Sequence, residues 1–413
     1  MNPGNALRIA LLFTAWAINH IQAQDVAPPP IQLTPRETPQ QQLQRQQPQP
    51  QQQQQVQPQQ PQVQQVPAPA QQYSQAQAQQ PVLQRSSETD TARYLAGMPV
   101  APGSPLSGLT NAARWQGHAR AMDASFSALE QRQLSNIRTW RAAYLAPFSQ
   151  VSRTCLYFFS GPDFLYADAF FPDCTSYVLV GLEPVELLPD LRTVPLTLLE
   201  NTLANIEVTL NTIVNFSFFK TKDMREDLQR TQLKGVLPIL FVFLARTGKE
   251  ISSVEYISQS QAGARGVKIS FLDPATGGQK VLYYFSQDLS DDGLKKNPAL
   301  LRFCNQLAPT NSLLKAASYL VHGNGFNIAR NYLLQASALI LQDDSGIPVR
   351  YFPSERWTFR LFGSYTGPIN LFKQFYQAEL RQSYESSAPK PLTFGFGYQW
   401  NRHNSTLVLA TRR

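Results

Sequence analysis

The sequence predicts an α/β fold, a mixed sheet with helices on its faces, behind an N-terminal signal peptide and a disordered Gln/Pro-rich tether. Three features support this prediction: a strand–helix–strand pattern over residues 154–181, several segments with the helical period, and the glutamine-rich N-terminal region. We divide the chain into a signal peptide (residues 1–23), a disordered linker (24–90) and a single α/β globular module (91–413) that starts with a long amphipathic helix.

Residues 1–23 have the order of features that is typical of a secretory signal peptide. Arg8 supplies a positive charge, the apolar run IALLFTAWAI follows, and Ala23 offers a small residue at a cleavage position. The run is too short to cross a hydrocarbon core of ~30 Å as a helix, which needs about twenty residues. The alternative is an N-terminal core helix. We expect a periplasmic or secreted protein that could also associate peripherally with the outer membrane.

The linker is rich in Gln and Pro from Ala27 to Gln84. Such a segment cannot bury enough apolar surface to offset the entropy lost on ordering. Prolines favour extended, polyproline-like conformations, so the linker can hold a folded module at a distance from an attachment point.

The charge distribution bears on the class of partner. The net charge of +8 is modest for 413 residues, and the lysines and arginines are scattered along the chain. A nucleic-acid-binding protein would concentrate its charge on one face, so we expect no specific nucleic-acid partner. After signal cleavage no transmembrane helix is expected, because the remaining apolar stretches are too short. The expected partner is therefore an envelope glycan, a lipid surface or another protein.

The strand–helix–strand unit is the most informative part of the module. Residues 154–160 and 176–181 are apolar runs of strand length, and residues 164–171 fit one or two helical turns between them. Both strands lack polar alternation, as expected of strands buried on both faces. The unit therefore predicts two parallel strands joined by a right-handed crossover.

The other segments alternate between helical and strand patterns. The long amphipathic helix is predicted from about Thr110 until before Pro147, with room for one break. Further helices are predicted over residues 195–219, 222–233, 294–307, 312–321, 327–341 and 370–384. Strands are predicted over residues 253–258, 266–272, 279–285 and 357–365, with a terminal hairpin of 392–400 and 406–410. Residues 237–245 fit a helix or a strand.

Asp163 and Glu183 are the candidate catalytic residues. Each follows one strand of the predicted unit, and ligands gather beyond the carboxyl ends of parallel strands. Two carboxylates there could act as acid and base, with Ser160 and Gly161 as ligand-binding neighbours. The alternative is structural, with Asp163 as the helix N-cap and Glu183 in a solvated loop.

Asp343 and Asp344 are the candidate metal ligands, and calcium is the cofactor that they could bind. Two carboxylates in a Gly-containing loop offer the oxygen ligands that calcium prefers, although EF-hand spacing is absent. Arg350 follows as a candidate anion-binding residue. The alternative is a surface turn. No other cofactor is predicted.

The chain has three cysteines, and disulfides form in the oxidising compartments to which exported proteins go. Cys155 and Cys174 would lie at the starts of the two adjacent strands, so a disulfide between them is geometrically reasonable. Three reduced, buried thiols, Cys304 included, are the alternative. Metal binding through cysteine is not expected, because no Cys-x-x-Cys or matching His spacing occurs.

Two functions are compatible with these features. The first is a non-enzymatic binding or structural module of the cell envelope, with aromatic contacts from Trp357, Tyr365, Tyr398 or Trp400. The alternative is a hydrolase that acts on an envelope polymer through Asp163 and Glu183. The motif of residues 322–326 (HGNGF) is interpreted as a helix cap, because no Gly-x-Ser-x-Gly elbow accompanies it.

Overall fold

A mixed nine-stranded sheet forms the centre of the computed structural model, which describes residues 86–216, 233–258 and 265–413. The strands are β1 (Thr154–Phe158), β2 (Ser176–Gly181), β3 (Glu250–Ile257), β4 (Arg265–Asp273), β5 (Gly278–Ser286), β6 (Thr310–Leu314), β7 (Ser337–Gln342), β8 (Trp357–Gly363) and β9 (Thr406–Arg412). Their order is β3-β4-β5-β2-β1-β6-β7-β9-β8. The predicted signal peptide and all but the end of the predicted linker lie outside the described residues.

The five central strands β5, β2, β1, β6 and β7 are parallel, and antiparallel strands extend the sheet on both sides. Successive side chains of a strand point to opposite faces. Tyr157 and Leu179 accordingly join one core, whereas Leu156 and Val178 join the core on the other face. The predictions of a mixed α/β sheet and of a parallel strand–helix–strand unit are confirmed.

Helices cover both faces of this sheet. The first face carries α1 (Ser87–Leu95), α2 (Ala113–Leu129), α3 (Ser135–Tyr144), α4 (Phe164–Phe170), α5 (Leu196–Phe216) and α6 (Leu237–Arg246). The second carries α7 (Asp291–Lys296), α8 (Ala299–Asn305) and α9 (Asn327–Ala336), and α10 (Ala378–Ser387) packs near β9. None of the described helices has the length and apolar character needed to span a membrane.

The long amphipathic helix is present with the predicted break. A π-helical turn, Glu130–Leu134, joins α2 to α3, and the buried residues Met122, Ile137 and Trp140 line the inner face. Helix α1 precedes it and begins at Ser87, inside the last residues of the predicted linker. The Ser86 hydroxyl caps α1 by accepting a hydrogen bond from the Thr89 amide at 3.1 Å.

The C-terminal half departs from the predicted elements in several places, and the helices predicted over 294–307 and 370–384 are each divided into two helical segments. Residues 310–314 form β6 where a helix was predicted over 312–321, and the helix predicted over 327–341 ends at Ala336, before β7. The terminal hairpin is also wrong, because β9 pairs with β7 and β8 and residues 392–400 form no named strand. Parallel pairing with distant strands outweighs local helix propensity in residues 310–314 and 337–342. Residues 237–246 form a buried helix.

Candidate functional site at the carboxyl edge of the parallel strands

Charged side chains follow each of four parallel strands at the same edge of the sheet. Asp163 follows β1, Glu183 follows β2, Lys315 follows β6, and the pair Asp343 and Asp344 follows β7. All five are buried, with at most 3% of their surface exposed. Buried charges are costly unless they are paired or hydrogen-bonded, so their partners decide what this edge can do.

Asp163 is bound on both carboxylate oxygens. Its Oδ1 accepts a hydrogen bond from the Tyr166 amide at 3.2 Å, which makes it the N-cap of α4. Its Oδ2 accepts from the Tyr157 hydroxyl at 3.0 Å and lies 2.9 Å from Nζ of Lys315. Burial, and then Asp163, raise the pKa of Tyr157, which keeps the hydroxyl protonated as a donor. The capping interpretation of Asp163 is confirmed.

Glu183 is buried and contacts β5, which lies on the side of β2 away from β1. The prediction of a solvated loop residue is therefore wrong. The Tyr284 hydroxyl lies 2.9 Å from Oε2 of Glu183, and burial followed by Glu183 raises the pKa of Tyr284. Tyr284 belongs to β5, whereas the Lys315 partner of Asp163 follows β6. The two predicted catalytic carboxylates thus have their named partners on opposite flanks of the β1–β2 pair.

Ser160 and Gly161 build the turn between β1 and α4. The Ser160 hydroxyl donates to the Gly161 carbonyl at 2.7 Å, and its amide donates to the Val180 carbonyl at 3.0 Å. Gly161 has φ of +55°, and a Cβ there would lie 3.5 Å from both carboxylate oxygens of Glu183. Both predicted ligand-binding residues therefore have structural contacts, with Gly161 next to Glu183.

Asp343 and Asp344 hold the loop that follows β6, and the prediction of a surface turn is wrong. Asp343 accepts hydrogen bonds from the amides of Ala316 at 3.0 Å and Ser345 at 3.1 Å. Asp344 accepts from the Tyr319 hydroxyl at 2.6 Å. Among the residues that the structure describes, no group of three or more His, Cys, Asp or Glu side chains could hold a metal ion.

The backbone after β6 is strained where these carboxylates bind it. Ala316, Ser318 and Tyr319 all have positive φ, between +51° and +54°, a conformation that is unfavourable for residues with a Cβ. Such conformations persist where surrounding contacts over-determine them, and they cluster at functional sites. The contacts from Asp343 and Asp344 therefore fix the position of Tyr319.

Burial changes the protonation of two groups beside Tyr319. Burial, and then the neighbouring Asp343, raise the pKa of Asp344 to about 7, against the hydrogen bond from Tyr319. Burial, and then Arg350, lower the pKa of His322 to about 3, so the imidazole is neutral at physiological pH. The half-buried Arg350 also stacks over the Tyr351 ring at 5.1 Å.

Tyr319 connects this buried cluster to an aromatic layer. Its ring is parallel to Phe375 at 5.1 Å and to Tyr398 at 6.2 Å, with interplanar angles of 7° in both pairs. These partners belong to the loops of residues 364–377 and 394–405, which a hydrogen bond from Gln399 to the Gly367 carbonyl joins. The aromatic layer is thus positioned by the buried acidic pair.

Three side chains on these loops are exposed and form what we call the aromatic surface: Leu371 (74%), Tyr376 (50%) and Trp400 (48%). Of the four aromatic residues singled out from the sequence, Trp357 and Tyr365 are buried in the core. Tyr398 is half-buried and Trp400 is exposed. The two loops contain the exposed cations Lys373 and Arg402, and the exposed carboxylate Glu379 follows Tyr376 in the first turn of α10.

The structure has three free, buried cysteines: Cys155, Cys174 and Cys304. The predicted Cys155–Cys174 disulfide is not formed, and the alternative of three reduced, buried thiols describes the structure. Burial raises the pKa of Cys174 and of Cys304 to about 12, and that of Cys155 rises as well. All three thiols are therefore uncharged at neutral pH, and uncharged thiols are poor nucleophiles.

Lys315 is the important residue of this edge that the sequence analysis missed. It lies within the wrongly predicted helix 312–321, although it directly follows the apolar pair Leu313-Leu314, as Asp343 closely follows the run Leu339-Ile340-Leu341.

Comparisons with models of protein families, with curated proteins and with solved structures gave no match to this chain.

Proposed function

We propose that this protein is an exported, non-enzymatic binding module that attaches to an anionic lipid surface of the cell envelope. The observation that carries the proposal is the aromatic surface, in which Leu371, Tyr376 and Trp400 are exposed beside Lys373 and Arg402. Tyrosine and tryptophan favour membrane interfaces, where one end of the ring is apolar and the other wet. Each lysine or arginine near anionic headgroups adds about 1 kcal/mol.

The arrangement of the carboxyl edge supports a binding role over a hydrolytic one. Asp163 accepts from a backbone amide and a tyrosine hydroxyl and pairs with Lys315, so both its oxygens are engaged. A general base needs an oxygen within reach of the proton that it removes. The buried carboxylates act instead as supports for the loops that present the aromatic surface.

A lipid surface is favoured over a glycan or a protein by the composition of the exposed groups. Leu371 is the most exposed of them and offers no hydrogen bond to a sugar. The combination of an aliphatic tip, interfacial aromatic rings and nearby cations is typical of peripheral membrane attachment. The predicted tether would let the module reach a membrane at a distance from an attachment point.

The test is cosedimentation of the purified exported chain with vesicles of phosphatidylglycerol and phosphatidylethanolamine. The double variant Leu371→Ala/Trp400→Ala should bind at least about ten-fold more weakly, because each apolar side chain contributes about 1.5–3 kcal/mol when buried. The matched control is Leu187→Ala/Tyr256→Ala, which removes side chains with 73% and 42% exposure elsewhere on the molecule.

Three results would refute attachment to an anionic lipid surface through the aromatic surface. They are equal binding by the two double variants, equal binding to phosphatidylcholine vesicles, and binding to isolated cell-wall glycan without binding to vesicles. The last result would assign the aromatic surface to a glycan instead.

A further inference from the structure

A buried glutamine in the break between two helices contacts the base of one loop of the aromatic surface. Gln133 belongs to the π-helical turn Glu130–Leu134 that joins α2 to α3. It is 6% exposed, whereas Gln131 in the same turn is exposed. Turns of this kind are rare and are frequently found at functional sites. The partner of the buried amide therefore indicates what this turn contributes.

The side-chain amide of Gln133 binds both backbone polar groups of Gly395. Its Nε2 donates to the Gly395 carbonyl, and its Oε1 accepts a hydrogen bond from the Gly395 amide at 3.1 Å. Gly395 is itself buried, and a buried backbone N–H or C=O without a partner is unfavourable. The two bonds therefore hold the loop of residues 394–405 to the helix break.

Gly395 lies directly against the backbone of Trp400. A Cβ at Gly395 would overlap the carbonyl oxygen of Trp400 and would lie 3.0 Å from its Cα, so a side chain has no room here. The flanking Phe394 and Phe396 pack against Phe170 in the core, with ring centres 6.0 and 5.5 Å apart. The position of Gly395 thus determines the position of the Trp400 backbone, from which the exposed indole ring extends.

We infer that Gln133 is a positioning residue for the aromatic surface: through Gly395 it holds Trp400 in the orientation in which the indole ring enters the lipid. This inference rests on the proposed lipid attachment. The acidic pair Asp343 and Asp344 supports the loops from the carboxyl edge, whereas Gln133 supports one of them from the helices of the first face. Without this bond the loop is free to move, and the ring enters the lipid less deeply.

The positioning role is tested first without lipid, in the purified full chain labelled with fluorotryptophan. Gln133→Met keeps a side chain of similar length that neither donates to nor accepts from Gly395. The fluorine resonance of Trp400, assigned by its loss in Trp400→Phe, should shift or broaden. The resonance of Trp357, which is buried in the core of the other face, should stay unchanged and shows that the variant is folded.

Gln131→Met, in the same turn but exposed, is the matched control and should leave the Trp400 resonance unchanged. A Trp400 resonance that is the same in Gln133→Met and Gln131→Met would overturn the inference.

Cosedimentation with phosphatidylglycerol vesicles then tests the consequence for attachment. Gln133→Met should bind about ten-fold more weakly than Gln131→Met, because most of the contribution of the Trp400 ring is lost. Equal binding by the two variants contradicts the role of Gln133 in attachment. If the unchanged chain does not bind the vesicles, lipid attachment itself is refuted, and the comparison without lipid still decides whether Gln133 positions Trp400.

A second variant acts on the same contact without touching the π-helical turn. Gly395→Ala adds a methyl group that overlaps the Trp400 carbonyl, so it should displace the Trp400 resonance and weaken vesicle binding as Gln133→Met does. Gly117→Ala, where a Cβ meets nothing within 4 Å, is its control. A Gly395→Ala chain with the resonance and the vesicle binding of the unchanged chain would disprove the connection through Gly395.

Discussion

Lys315 and Asp163 form a buried ion pair, Nζ to Oδ2 at 2.9 Å, that joins the loop after β6 to the turn after β1. Each side chain is at most 2% exposed, and Lys315 also lies 4.0 Å from the centre of the Tyr166 ring. The pair fixes the starting point of the strained loop that carries Tyr319. The proposed binding surface depends on this support, which the following predictions test.

Lys315→Met should lower the free energy of unfolding by about 3–5 kcal/mol, because it leaves the Asp163 carboxylate buried without its counter-charge. The double variant Asp163→Asn/Lys315→Met should lose much less than the sum of the single losses. Urea unfolding of the four proteins measures this coupling. Lys268→Met, in an exposed pair with Glu255 at 2.9 Å, is the control and should cost under about 1 kcal/mol. Equal losses in the two lysine variants would contradict the account.

Neutralising the two predicted catalytic carboxylates distinguishes a structural role from a hydrolytic pair. Asp163→Asn should destabilise the fold, because it removes the carboxylate that forms an ion pair with the buried Lys315. Glu183→Gln should cost about 1 kcal/mol through a weaker bond from Tyr284. Two carboxylates that share a site would instead gain stability when one is neutralised, since their repulsion disappears. A rise in melting temperature in both variants would favour the hydrolase.

The raised pKa of Asp344 predicts a pH dependence of stability. The folded value, about 7, exceeds the ordinary value of 3.8, so the folded state binds more protons between these limits. The stability that Asp344 contributes is complete below about pH 4 and is lost as the pH rises through about 7. Asp344→Asn removes this loss. The difference in free energy of unfolding between Asp344→Asn and the unchanged chain should therefore rise from pH 4 to pH 8 by on the order of 2–4 kcal/mol, in favour of the variant.

Urea unfolding across this pH range measures the difference between the two proteins. His322 acts in the opposite sense, because its pKa is lowered to about 3 and its contribution is lost as the pH falls below about 6.5. That contribution is present in both proteins and cancels in the difference. A difference that does not change with pH would contradict the burial-driven shift at Asp344.

Gly181 should not tolerate a side chain. A Cβ there would lie 2.4 Å from Oε2 of Glu183 and 2.9 Å from Cα of Gly161, so backbone as well as side chain would have to move. Gly181→Ala should cost about 1–3 kcal/mol by overpacking. Gly108→Ala, where a Cβ meets nothing within 4 Å, is the control and should change stability by less than about 0.5 kcal/mol. Similar melting temperatures would argue against the close contact between the turns after β1 and β2.

The sequence was sufficient where local pattern and long-range packing agree. Residues 154–181 combine apolar runs of strand length with Gly161-Pro162-Asp163, and both the parallel pair and the Asp163 cap are present. Strands β4 and β5 were predicted for a similar reason, because turn residues separate two alternating segments. The Asp163 side chain could thus be placed before its charge partner was known.

The sequence was insufficient where parallel pairing decides the structure. Asn311 is a poor strand residue, and the segment Leu-Leu-Lys-Ala-Ala that follows Ser312 favours a helix. Contacts from distant elements overcome this preference, among them the Ser312–Ser337 hydroxyl pair at 2.7 Å and the bond from Asn311 to Ser152. Because β6 was missed, Lys315 could not be recognised as the partner of Asp163.

The most direct measurement is the quenching of Trp400 fluorescence by vesicles of phosphatidylglycerol with brominated acyl chains. Trp400 is 48% exposed, whereas the other described tryptophans, Trp115, Trp140 and Trp357, are at most 8% exposed. We predict strong quenching in the unchanged chain and its loss in Trp400→Phe. Emission that brominated vesicles leave unchanged, or quenching that persists in Trp400→Phe, would contradict attachment through the aromatic surface.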